Sequence, residues 1–180
     1  ETCDLVASLP VYESNFGVGI GPNWNSSSTM NINSTTVLGN FSNTSVTLSL
    51  NTLPLHDSIR VEFDLYIIAS WDGNASGVNG PDFFTLRTDG SDMMYTTFSN
   101  VGQDQSYPDE FPVNNPGQTG VFLWDGNNAP NFAIYKISKT IDHVNTNAVI
   151  DFIGGPGLES LGNESWAVSN VKIYTNTNAC

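Results

Sequence analysis

Along most of the chain apolar and polar side chains alternate one for one, the period of a strand with one buried face. The clearest stretch is Ile59-Arg60-Val61-Glu62-Phe63-Asp64-Leu65-Tyr66-Ile67-Ile68. There Val61, Phe63, Leu65 and Ile67 share one face, and Glu62, Asp64 and Tyr66 share the other. Before it, Val46, Leu48 and Leu50 alternate with Thr47 and Ser49. Further strands are predicted over 83–88, 93–98, 120–124, 132–137, 148–153 and 166–174. Turn clusters such as Trp71-Asp72-Gly73-Asn74 and Gly154-Gly155-Pro156-Gly157 separate them, and helical periodicity is almost absent. Residues 23–43, rich in Ser, Thr and Asn, read as loops and edge strands. In the last strand Trp166 and Val168 have one parity and Val171 and Ile173 the other, which predicts a bulge near Ser169-Asn170. Many short strands without a repeat or a linker predict an all-β fold. We expect an antiparallel β-sandwich of jelly-roll type, one domain over residues 1–180.

Charge narrows the partners. Eighteen acidic against 5 basic residues give a net charge of −13, while only 13% of residues are charged. Such a surface repels nucleic acid phosphates and anionic membranes and attracts divalent cations. No apolar run approaches the roughly 20 residues of a membrane span, so no membrane insertion is expected. The neutral polar surface reads as secreted, extracellular or cell-surface, and the start at Glu1 reads as a mature end after signal cleavage. Cys3 and Cys180 read as one disulfide closing the whole chain, with pairing to neighbouring molecules as the alternative. Glycosylation sequons stand at Asn25, Asn33, Asn40, Asn43, Asn74 and Asn163.

The inventory for catalysis is thin. There is no Gly-x-Ser-x-Gly elbow, no His-Glu-x-x-His and no phosphate-binding glycine loop. His56 and His143 read as surface or strand-end residues. Glu62 and Asp64 lie about 7 Å apart on one strand face. The third acid of the Glu-x-Asp-x-x-Glu pattern of jelly-roll glucanases is missing, and a glycosidase needs its carboxylate pair. No enzyme is expected.

The metal chemistry is richer. Asp72, Asn74 and Asp82 bracket a Gly- and Asn-rich loop directly after the best strand, and with loop carbonyls they suit calcium, a cation that takes six to eight oxygens. The competing reading is a set of Asx turns. Trp71 and Trp124, each beside an Asp-Gly turn, are the tryptophans expected near the surface, where they would stack on sugars. Trp24 and Trp166 are expected in the core.

Val37-Leu38-Gly39-Asn40-Phe41, the run from Phe63 through Ser70-Trp71-Asp72-Gly73-Asn74, Gly80-Pro81-Asp82, Thr97-Phe98-Ser99-Asn100, Gln105-Ser106-Tyr107-Pro108 and Glu164-Ser165-Trp166 together form a series. It resembles a domain of bacterial extracellular and cell-surface proteins, lectin-like or laminin-G-like jelly rolls without established catalysis. Similar domains often end in Asp-Asn-Val, whose Asp can support a structural calcium. Ser169 stands in its place here, which argues against a second site and leaves Glu13 without that partner. The resemblance implies a non-catalytic adhesion or structural module, calcium-stabilised, with glycans, other extracellular surface proteins or further copies of itself as partners. The alternatives are a carbohydrate-binding module and a self-assembling subunit of an extracellular filament or sheath.

Overall fold

The structure is a computed structural model and describes residues 9–123 and 132–177. The described strands are β1 (Tyr12–Ser14), β2 (Thr29–Ile32), β3 (Thr35–Phe41), β4 (Thr44–Leu50), β5 (Ser58–Ala69), β6 (Phe83–Thr88), β7 (Ser91–Thr97), β8 (Val121–Leu123), β9 (Phe132–Asp142), β10 (Ala148–Gly154) and β11 (Glu164–Asn176). One 3-10 turn, Gly77–Asn79, interrupts the loop after β5. A seven-stranded sheet runs in the order β2-β3-β11-β5-β9-β8, with β1 also on β11. The other sheet runs β4-β10-β6-β7, and every pairing is antiparallel. The fold is an all-β sandwich of jelly-roll type.

The strict alternation on β5 decides its orientation. Val61, Phe63, Leu65 and Ile67 turn into the main core, where they meet Phe84, Leu86, Phe152 and Trp166. Phe63 lies 5.0 Å edge-on to Phe152, and Trp166 lies 5.3 Å edge-on to Phe84. Each such fully buried side chain contributes about 1.5–3 kcal/mol of burial. The opposite face of β5 changes character along its length. Near its start it carries Arg60, Glu62 and Asp64, and near its end Tyr66 and Ile68 join a smaller buried cluster with Val37, Phe132 and Ala167.

The parity slip in β11 is a bulge. Ser169 pairs with Asp64 and Lys172 with Glu62, so three steps on β11 span two on β5. Asn170, with φ 50°, absorbs the extra residue, and both Val168 and Val171 stay buried. Residues 29–41 differ from the expectation of loops and edge strands. β3 lies inside the sheet between β2 and β11, because Val37, Leu38 and Phe41 supply buried side chains among the polar ones.

The connections define two ends. β5 finishes, and β6 and β11 begin, at one end. At the other, β5 and β10 begin and β6 and β9 finish.

Candidate metal centre

At the first end the chain leaves β5 at Ala69, where φ turns to 68°. The turn sends Trp71 back into the core, fully buried, edge-on to Phe98 at 6.4 Å. Its indole Nε1 donates to the Ser165 carbonyl at 3.0 Å, tying the loop to the start of β11. Trp71 is therefore an anchor and not a sugar platform: a ring that large gains more by burial than the adjacent turn gains by presenting it. Trp24 and Trp166 are buried as expected. Trp124 lies outside the described residues, as do Cys3 and Cys180.

The anchor carries Asp72 to the edge of β6. The Asp82 amide donates to the Gly73 carbonyl at 3.0 Å, and the Asp72 amide donates to Asp82 Oδ2. Glu164 opens β11 opposite Ala69 and accepts the Glu159 amide at Oε2, 2.7 Å away. One carboxylate oxygen each from Asp72, Asp82 and Glu164 lies within 4.8 Å of the others. Close backbone contact shapes the surroundings. A Cβ on Gly157 (φ 116°) would lie 2.1 Å from the Pro81 carbonyl, so only glycine lets the loop after β10 close over Asp82.

The electrostatics are one-sided. Asp82 and Glu164 are fully buried, and Asp72 is half-buried. Asp82 Oδ1 and Glu164 Oε1 have no hydrogen-bond partner. Burial, opposed in part by the Asp72 amide and reinforced by Glu164, Asp72 and Glu159, pushes the Asp82 carboxyl up to about 8. Burial, with Glu159 and Asp72 adding to it against the Glu159 amide, pushes Glu164 up to about 7. Asp72 is also raised, by burial and then by Glu159. No basic side chain answers them. Arg60 pairs with Glu62, Arg87 with Asp92, Lys136 with Asp64 and Lys172 with Glu13. Lys139, the remaining one of 5, lies opposite Val61, eight residues from the end of β5 or roughly 26 Å along the strand.

Two of the three expected ligands thus meet, and the third does not. Asn74 turns its amide toward residues 97–114: Nδ2 donates to the Val113 carbonyl at 3.1 Å and to Asn114 Oδ1 at 2.6 Å. Its Oδ1 accepts from Ser106 at 3.0 Å and from Thr97. With both amide hydrogens engaged, Asn74 is a structural pin and poorly placed to carry a glycan. Among the other sequons, Asn25, Asn33, Asn43 and Asn163 are exposed and Asn40 is half-buried. Glu164 takes the place expected of Asn74. Its signal was present: a carboxylate directly before Ser165-Trp166-Ala167-Val168, a run that is buried throughout.

A groove of about 460 Å³ crosses β1, β11, β5 and β9 on the outer face of the larger sheet. Glu62, Asp64, Lys136, Asn170 and Lys172 line it. Asn170 Nδ2 donates to Asp64 Oδ2 at 2.6 Å.

No family model and no curated protein matches the chain. Among solved structures it is similar to the CBM22-1 xylan-binding domain of Xyn10C from Paenibacillus barcinonensis. That match has 8% identity and a TM-score of 0.46, covering 97% of this chain and 100% of that one. It is also similar to the C-terminal domain of EclA, a sugar-binding protein. Here identity is 10% and the TM-score 0.38, over 71% of this chain and 64% of that one.

Proposed function

We propose that the chain is a non-catalytic extracellular β-sandwich module for adhesion or ligand display, whose loop end is locked by calcium. The observation that supports this is the meeting of buried Asp82 and Glu164 with half-buried Asp72, without a cationic partner among the described residues. A buried carboxylate needs a counter-charge or a proton. Calcium supplies the charge and accepts the irregular oxygen geometry of loops. Ligation would join the end of β5, the start of β6 and the start of β11, so the ion contributes to folding by mass action. Asp72→Ala or Asp82→Ala should remove most of the difference between thermal melts in calcium and in chelator. Coincident wild-type melts would leave the loop as ordinary Asx turns.

A second reading, a carbohydrate-binding module, is favoured by the polar groove on the larger sheet, where carboxylates alternate with amide and ammonium donors that suit sugar hydroxyls. A glycan array tests it. Saturable binding weakened by Asp64→Ala supports a sugar site there, and no saturable signal leaves adhesion without one.

A further inference from the structure

At the opposite end of the sandwich, the two histidines are strand-end residues as expected, but they are buried and they meet. His56 precedes β5, His143 follows β9, and their rings are nearly parallel, 10° apart, with centroids at 5.0 Å. His56 Nδ1 faces the Pro54 carbonyl at 2.6 Å, and His56 Nε2 faces His143 Nδ1 at 2.7 Å. His143 Nε2 faces Asp89 Oδ2 at 3.0 Å, and Asp89 Oδ1 accepts the Val149 amide at 2.8 Å. The chain of contacts therefore ties the loop before β5, the loop after β9, the β6–β7 turn and β10 together. It ends on a backbone carbonyl and presents no free ring nitrogen to a substrate.

We propose that His56, His143 and Asp89 form a proton-gated clasp that is complete only when it carries one proton more than two neutral imidazoles and a carboxylate. The Pro54 carbonyl and the Asp89 carboxylate only accept, so each of the outer contacts requires an N–H. The ring-to-ring contact requires one hydrogen, on one nitrogen or the other. Three contacts thus need three ring hydrogens, whereas two neutral imidazoles hold two. Removing the added proton leaves one contact as a clash of lone pairs, wherever the remaining hydrogens settle. Adding a second puts an N–H on both sides of the ring-to-ring contact. The clasp loosens on both sides of a pH window.

Asp57 follows His56, and its carbonyl accepts the His143 amide at 3.0 Å. Asp142 precedes His143. On the facing hairpin Arg87 and Asp92 pair with each other, on β10 Asp151 accepts from Thr47, and on β5 Arg60 pairs with Glu62.

Hydrogen exchange followed by NMR across the pH range tests this on the full chain. The reporters are the His143 amide, bonded to Asp57, and the Leu53 amide, which donates to Thr146 at 2.8 Å across the same two loops. After correction for intrinsic exchange, their protection should peak and then fall on each side, by up to about tenfold per pH unit, because opening is linked to one proton either way. Asp89→Asn separates this from a merely structural role. Its side-chain N–H can donate to a neutral His143, so the alkaline loss should disappear while the acid loss remains. Asp89 has φ 48°, a conformation that asparagine tolerates well. A flat wild-type profile, or an Asp89→Asn profile that coincides with it, overturns the proposal.

Discussion

Where β6 finishes, Asp89 faces His143 and takes the Val149 amide, so its charge is answered from within the chain. Where β6 begins, Asp82 meets Asp72 and Glu164, and among the described residues only backbone amides, and no cation, answer them. Both ends bring loops from both sheets together around acidic groups. One end closes itself with a proton, and the other calls for an ion from outside. The difference shows how one fold can place two unlike fastenings at the ends of the same strands, one answering to protons alone and the other to protons and calcium together.

The largest way to break this asymmetry is at its anchor. Trp71→Ala removes a fully buried ring and should cost about 3–5 kcal/mol in denaturant unfolding. The calcium response should go with it, because Asp72 is no longer seated against β11. Next is Asp82→Asn. It should abolish the calcium-dependent stabilisation, about 2.7 kcal/mol at a hundredfold excess over the dissociation constant. It should leave the chelated protein no less stable than wild type, since asparagine needs neither a counter-charge nor a captured proton. Asp89→Asn, at the other end, should leave the calcium response intact.

A pH titration sharpens the comparison further. Asp82 and Glu164 are raised to about 8 and about 7, above their unfolded values. Between about pH 4 and 7 the calcium-free folded protein therefore holds more protons than the unfolded chain. Its stability should fall as pH rises through that window, by at most about 1.4 kcal/mol per unit for each group. Saturating calcium should flatten the slope across that window, because ligation holds the oxygens ionised and the unfolded carboxylates are ionised there too. Chemical denaturation at several pH values, with and without calcium, measures both slopes. The smallest expected effect is Glu159→Gln. Its exposed side chain adds negative potential to the site and accepts from Asn163, a bond that glutamine can keep, so stability should move by less than about 0.5 kcal/mol while calcium affinity weakens modestly.

The strands were legible because a half-buried sheet imposes period two. β5 and β6 appear within a residue of where the alternation places them, and the change of parity in β11 disclosed its bulge. The site was half legible. Asp72 and Asp82 share a loop, so local spacing relates them, but Glu164 comes from a strand 82 residues beyond Asp82 and joins through the β5–β11 pairing. Trp71 misled because its turn neighbours suggest the surface, while the backbone reversal at Ala69 returns it to the core. The His56–His143 contact joins residues 87 apart in sequence, and no local pattern foreshadows it.

Calorimetric titration of chelator-stripped protein with calcium tests directly whether Asp72, Asp82 and Glu164 hold the ion. One calcium should bind per wild-type chain, and none should bind Asp82→Asn. Heat of binding absent from the wild type, or unchanged by Asp82→Asn, would contradict it.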